Sequence, residues 1–316
     1  MISRRDWLRI TAGAGAALGL NPRVLAALQS QEVIMRAIPS TGERLPVIGL
    51  GGANTYSRVA RAEDFDQIGG VLNALVDGGA TVLDTAAGYG ASEDVSGRVA
   101  QELGIAERIF WATKVNVAGR GGSPADPADV LTQIERSFER LRIPSIDLIQ
   151  VHNMGDPPTQ LGVLERLQAA GRIRYMGITT TSERQYAALA DVMRNEPIDF
   201  IGIDYAVDNR TPEEVIFPLA QERRIGVIVY LPFGRSRMWA RIGDRPLPEW
   251  AAEFDAHTWA QFMLKFVIAH PAVTVATPGT SDPEHMTDNI AGGRGRLPNA
   301  QQIERMIELV ENLPSA

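Results

Sequence analysis

From Val47 onward the chain alternates between short apolar runs and amphipathic segments, and that alternation restricts the fold more than any other feature. The runs are Val47 to Leu50, Thr81 to Leu83, Ile109 to Thr113, Asp147 to Val151, Ile173 to Ile178, Phe200 to Ile203, Ile225 to Tyr230 and Val273 to Thr277. Short, mostly apolar runs of this kind are strands buried on both faces. The segments between them repeat apolar residues at helical spacing: Phe65, Ile68, Leu72, Leu75 and Val76 make one stripe, Leu131, Ile134, Phe138 and Leu141 another, and Leu161, Leu164 and Leu167 a third. Further helices fit near Glu183 to Val192, Glu213 to Glu222 and Thr258 to Ala269. Strands separated by helices run parallel, and eight such units in about 250 residues predict an α/β fold of the closed (β/α)8 TIM-barrel type. An open doubly wound sheet is the alternative, but it carries a GxGxxG first turn, and no strand here is followed by one.

Additions are expected at both ends of the barrel. A hairpin should run from Val33 to Ala37, turn through Pro39-Ser40-Thr41-Gly42 and return at Leu45-Pro46. A last amphipathic helix carries Ile303, Met306, Ile307 and Val310. Ahead of the hairpin, Ser3-Arg4-Arg5-Asp6-Trp7-Leu8-Arg9 precedes a mild apolar run, Ile10 to Leu20, and then small residues near Ala26-Ala27. That basic, apolar, small-residue order is the pattern of an export signal of the twin-arginine type. The expected organisation is a signal segment over residues 1–30 and a single barrel domain over 31–316. It implies the export machinery as a partner and a periplasmic or secreted location.

Composition removes several function classes. A formal charge of −7 argues against a nucleic-acid surface. With no cysteine, thiol catalysis, disulfides and thiolate-bound metals are excluded. The four histidines form neither an HxH nor an HExxH pattern, so no metal site is expected. No run is apolar enough for a stable membrane span after processing.

Four polar residues stand just past the carboxyl ends of apolar runs: Asp84 and Tyr89 after Thr81-Val82-Leu83, Lys114 after Ile109 to Thr113, and His152 after Asp147 to Val151. Parallel strands bring those ends together on one face of a barrel, where active sites of this fold lie. A free phenol, with a pKa near 10, is a reluctant acid at neutral pH, and an adjacent ammonium favours its ionised form. Lys114 can supply that charge, Asp84 can pin the lysine, and His152 can donate to the same substrate oxygen. Such a site can protonate a carbonyl oxygen while hydride reaches the carbon from a nicotinamide cofactor, since no side chain supplies hydride. Residue by residue, other readings stay open: a buried ion pair between strands for Asp84 and Lys114, a structural histidine, and a loop aromatic for Tyr89.

Leu83-Asp84-Thr85-Ala86-Ala87-Gly88-Tyr89-Gly90 with Ser92-Glu93, together with Trp111-Ala112-Thr113-Lys114 and Asp147 to His152, resembles the signature of the aldo-keto reductase family. The resemblance covers roughly Val33 to Leu313. It implies a barrel that reduces aldehydes and ketones or oxidises the alcohols, usually with NADP. Tyr89 is then the proton donor, Lys114 and Asp84 tune it, and His152 orients the carbonyl.

The resemblance also implies cofactor contacts. Gly51 and Gly52 allow close backbone approach, Tyr230 matches an aromatic that stacks on nicotinamide, and Phe233-Gly234-Arg235 belongs to a loop folded over the pyrophosphate. Gly279, Thr280, His285, Asp288 and Asn289 fall on contact positions for the adenosine half, and Thr179 and Thr180 on those for the carboxamide. Several positions depart from the family. Gly279 replaces a common lysine and His285 a common arginine, which leaves NAD possible as well as NADP. Thr179-Thr180 stands for Ser-Asn and Gly202 for Gln, so the nicotinamide head loses contacts unless Asp204 or Asn209 replaces them. A non-catalytic barrel with a degenerate cofactor site, binding a small ligand or protein partner, is the alternative function. The substrate wall is expected to draw on Tyr56, Trp239 and Trp250, aromatics that suit a moderately apolar carbonyl compound or alcohol.

Overall fold

The computed structural model describes residues 31–119 and 123–314. The expected export segment, residues 1–30, lies outside the described residues. A hairpin opens the described chain, with β1 (Met35–Ala37) antiparallel to β2 (Arg44–Pro46). Then follow β3 (Leu50–Gly51), α1 (Thr55–Arg61), α2 (Phe65–Asp77), β4 (Val82–Asp84) and α3 (Ser92–Glu102). Next come β5 (Phe110–Val115), α4 (Pro127–Leu141), β6 (Ile146–Val151), α5 (Pro157–Ala169), β7 (Ile173–Thr180) and α6 (Tyr186–Asn195). The remainder is β8 (Phe200–Asp204), α7 (Ile216–Arg223), β9 (Gly226–Tyr230), α8 (Arg237–Ile242), α9 (Trp259–Ala269), β10 (Val275–Ala276), α10 (Pro283–Gly292) and α11 (Ala300–Glu311).

Strands β3 to β10 pair in chain order and in parallel, an eight-stranded sheet. The sheet closes on itself: Gly49 N donates to Ala276 O at 2.9 Å, Ala276 N to Val47 O at 2.8 Å, and Gly51 N to Pro278 O at 3.0 Å. Those bonds satisfy the groups that an open edge would leave bare. The expected (β/α)8 barrel is the observed one.

Side-chain parity divides the interior into layers. Val82, Phe110, Ala112, Leu148, Tyr175, Phe200, Ile228 and Val275 form an apolar cluster in the barrel, joined by Ile38 and Leu45 of the hairpin. Two residues further along each strand the same face recurs. Val82 is followed by Asp84, Ala112 by Lys114, Leu148 by Gln150 and then His152, Phe200 by Gly202, and Ile228 by Tyr230. A polar layer therefore sits directly on an apolar plug.

The helices begin and end for local reasons. Asp126 caps α4 through the Ala128 N–H at 2.8 Å with Pro127 in the first turn, and Arg142 ends it at φ 59°. Asn299 and Gln302 form a reciprocal capping box at the start of α11. One stripe differs from expectation: Val130, not Leu131, joins Ile134, Phe138 and Leu141 against the barrel, and Leu131 is 43% exposed. Successive residues on a helix lie about 100° apart, and here the inward stripe begins at Val130, which turns Leu131 toward solvent. Two short helices, α1 and α8, have too few periodic residues to be read from sequence. No helix among the described residues is long and apolar enough to cross a membrane.

Closure at β3 depends on the absence of a side chain at Gly49, where a Cβ would lie 2.7 Å from Val82 O and 2.9 Å from Val82 Cβ. Gly49→Ala is expected to destabilise the fold by about 1–3 kcal/mol through overpacking. A shift in the urea midpoint at constant slope would show it, and an unchanged midpoint would contradict tight closure.

Candidate active site

The four strand-end residues converge. Lys114 Nζ donates to Asp84 Oδ2 at 2.5 Å and to the Thr85 carbonyl at 2.8 Å. Both side chains are almost wholly buried, at 1% and 4% exposure. Two tyrosine rings flank the ammonium, Tyr89 with its centroid at 5.1 Å and Tyr230 at 5.0 Å. Tyr89 lies edge-on to His152, ring centroids 5.7 Å apart. Burial works to lower the Lys114 pKa, but the charge of Asp84 and the charge and hydrogen bonding of Tyr89 outweigh it, so the ammonium is held above its ordinary value.

Local sequence explains the placement. After β4 the chain turns with Tyr89 N donating to Ala86 O at 2.9 Å, which brings the phenol back over the barrel mouth. The start of α3 is locked beneath it: Thr85 Oγ1 donates to Ser92 Oγ at 2.9 Å, and Ser92 Oγ to Gly52 O at 3.0 Å. Glu93 is buried, accepting from Thr113 Oγ1 at 2.6 Å and pairing with Arg140 at 3.2 Å. The Ser92-Glu93 pair thus works as a brace. Asn116 Nδ2 donates to the His152 carbonyl at 2.7 Å and fixes the backbone there.

A residue that sequence reading passed over completes the layer. Gln150 is fully buried, and its Nε2 donates to Tyr230 Oη at 3.0 Å and to Asp84 Oδ1 at 3.3 Å. Tyr230 Oη donates in turn to Asp84 Oδ1 at 3.2 Å. Its signal was parity, since Gln150 is the amide two residues before His152 on an otherwise apolar inward face. Burial, helped by the negative charge of Asp84, pushes the Tyr230 pKa well above the ordinary phenol value. Tyr230 therefore keeps its proton.

Above this layer opens a cavity of about 340 Å³, bordered by Gly51, Gly52, Tyr89, His152, Tyr230 and Gly279 among others. Asp84, Thr179, Phe233 and Arg235 also border it. A wider groove of about 860 Å³ between Glu183, Asp208, Glu214 and Glu311 holds none of the strand-end residues.

Other expected contacts have different work. Thr180 turns away from the cavity, bonding Gln185 Oε1 at 2.6 Å and the Ser182 N–H at 3.0 Å. Asp288 accepts from Thr258 Oγ1 at 2.8 Å and Gln261 Nε2 at 2.6 Å, so its carboxylate tethers α10 to the start of α9. Gly234 packs against Asp208 with φ 56°, Thr280 Oγ1 accepts from Asp282 N at 3.1 Å, and His285 is exposed on the first turn of α10. Asp204 is engaged by Tyr186, Asn209 and Arg235 and does not border the cavity. Arg235 is held by Asp204 at 3.2 Å and by the Thr181 carbonyl, so its charge is already paired.

The aromatic wall is corrected too. Tyr56 is wholly buried with its hydroxyl 2.8 Å from Ser96 Oγ, Trp239 packs on Phe233 outside the lining, and Trp250 packs on Phe254 and Phe262. Beside Tyr89 and His152 the cavity presents Asn54, Thr55 and Asn153 instead.

A nicotinamide dinucleotide fits what remains open. Gly51, Gly52 and Gly279 offer bare backbone along one wall, and a Cβ on Gly279 would approach Gly51 O to 3.4 Å. Asn289, on α10, is 3% exposed and does not border the cavity.

The model of the Aldo/keto reductase family matches residues 47–311. The chain belongs to the aldo/keto reductase family. Aldo-keto reductase str7 of Strobilurus tenacellus is 26% identical over 296 residues, 83% of this chain and 85% of its own. Aldo-keto reductase YhdN of Bacillus subtilis is 29% identical over 203 residues, 61% of this chain and 60% of its own. Among solved structures, the holo form of a Bacillus halodurans aldo-keto reductase aligns with TM-score 0.68 and 25% identity, covering 90% of this chain and 98% of that one. A Klebsiella pneumoniae aldo-keto reductase in complex with NADPH shares the fold, with TM-score 0.71 and 24% identity over 89% of this chain and 95% of its own.

The buried pair makes a stability prediction. Lys114→Met leaves the Asp84 carboxylate buried with neutral partners only, and breaking such a pair costs about 3–5 kcal/mol. The loss measured in urea at neutral pH should shrink as pH falls, because an uncompensated Asp84 takes up a proton in the fold. A pH-independent loss would contradict the pairing.

Proposed function

We propose that this aldo/keto reductase interconverts a carbonyl compound and its alcohol with NADP as the cofactor, Tyr89 being the proton donor. The carrying observation is the Lys114 ammonium, charged and fixed by Asp84, beside the one tyrosine of the layer whose hydroxyl is not bound to Asp84 and Gln150. NADPH is the form bound in the Klebsiella neighbour, and His285 is the only basic side chain on α10 that a 2′-phosphate could meet.

When bound, a reduced nicotinamide supplies hydride to the carbonyl carbon. The protein's residues do the rest. Tyr89 and His152 hold the carbonyl oxygen at the cavity floor. As negative charge builds on that oxygen, Tyr89 releases its proton to it, and the C=O becomes CH–OH. Lys114 stabilises the phenolate left behind, which a solvent proton restores through the cavity mouth. Asp84 touches no reacting atom; it keeps the ammonium charged and in place. In the oxidative direction the same groups act in reverse.

Gly51, Gly52 and Gly279 would lie along the cofactor, with Thr179 near the reacting end. The location inferred for the protein is the periplasm or the exterior, resting on Arg4-Arg5 and the apolar run behind them. Replacing both arginines by lysine should retain the protein in the cytoplasm; unchanged export would contradict a twin-arginine route.

Tyr89→Phe is expected to lower turnover by roughly 10²–10⁴-fold, a general-acid effect, while dinucleotide affinity stays near the parental value. Following the reduced-nicotinamide absorbance with a panel of aldehydes and ketones measures both. A variant as fast as the parent would remove Tyr89 from the role. His152→Ala should raise KM for the carbonyl and lower kcat; a change confined to dinucleotide affinity would count against its contact with the carbonyl.

A further inference from the structure

Gly202 is the inward-facing residue at the centre of β8, where the family resemblance leads one to expect a long amide. Its bareness is occupied. A Cβ there would collide with Cε2 and Oη of Tyr230, whose ring crosses from β9 over the β8 backbone. The ring thereby reaches far enough across the barrel to place its hydroxyl on Asp84 Oδ1 at 3.2 Å, an oxygen that also receives Gln150 Nε2 at 3.3 Å. Oδ2 of the same carboxylate receives Lys114 at 2.5 Å.

A buried carboxylate has lone pairs on both oxygens to satisfy, and one left bare rotates or draws in water. Here Lys114 occupies one oxygen, Tyr230 and Gln150 the other, and rotation of the carboxyl would break bonds at both ends. The ammonium that faces Tyr89 is thus located by a chain that begins at Gly202.

We propose that Tyr230 is a positioning residue for carbonyl reduction, acting through its hydroxyl on Asp84 and thence on Lys114, and that Gly202 is the specificity of this chain that admits it. The inference rests on Tyr89 being the proton donor. It differs from a stacking role, which needs the ring face and not the oxygen. Tyr230→Phe separates the two, because it keeps the ring and removes the hydroxyl.

The test has three readouts on the full-length protein: kcat for an aldehyde, the dissociation constant for reduced dinucleotide from fluorescence titration, and the thermal midpoint. Tyr230→Phe is expected to lower kcat by roughly ten- to a hundredfold, the scale of a misplaced catalytic group, with the dissociation constant unchanged. In an Asp84→Asn background, where the partner of the hydroxyl has lost its charge, the same substitution should lower kcat by less than threefold, because residues acting in one chain do not add. Additive losses, or a weaker dinucleotide complex with kcat intact, overturn the proposal while the assignment of Tyr89 stands. If the doubly substituted protein does not fold, the split between kcat and dissociation constant in Tyr230→Phe alone decides it. A parental protein that reduces no carbonyl overturns both readings.

Discussion

One buried ion pair organises the mouth of this barrel. Lys114 and Asp84 stand on adjacent parallel strands, β5 and β4, and each would be costly to bury alone. Together they are tolerated because neighbours add further hydrogen bonds: the Thr85 carbonyl on the lysine, Gln150 and Tyr230 on the aspartate. The pair therefore has a fixed direction, and the ammonium has one place to be. Tyr89 stands beside that ammonium and His152 stands edge-on to Tyr89.

The fold supplies this at little expense in sequence. Strand parity puts an apolar cluster under the polar layer, the hairpin residues Ile38 and Leu45 join that cluster, and water is kept from the underside of the pair. Low local dielectric strengthens the interaction between Lys114 and both of its phenol neighbours. The cavity side stays open at Tyr89 and His152, so charge is confined to the wall where a carbonyl can reach it. Asn54, Thr55 and Asn153 border that opening on one side, and Leu231, Pro232 and Phe233 also line it.

Much of this was legible in the chain, and the losses have physical causes. Asp84, Lys114 and His152 could be read because a polar residue closing an apolar run is conspicuous once the strands are parallel. Gln150 shared the inward face of His152 but lay within a run, and nothing in strand spacing tells a buried partner from a tolerated amide. Gly202 read as a missing contact; only the crossing ring of Tyr230 shows what the space is for. Tyr56, Trp239 and Trp250 failed as cavity walls because loop position alone does not set side-chain direction, and in the structure each packs on a neighbour. Thr180 and Asp288 fell on contact positions by alignment with a family pattern, yet local capping and tethering claim their polar atoms.

The central claim is that a phenol beside a fixed ammonium gives its proton to a carbonyl oxygen within the same turnover that delivers hydride to the carbon. Single-turnover oxidation of stoichiometric reduced dinucleotide by an aldehyde, run in H₂O and in D₂O, tests it most directly. The protein should oxidise the dinucleotide more slowly in D₂O, and the residual reaction after Tyr89→Phe should lose that solvent effect. Identical decay in both solvents, or a solvent effect that survives the loss of Tyr89, would contradict the account.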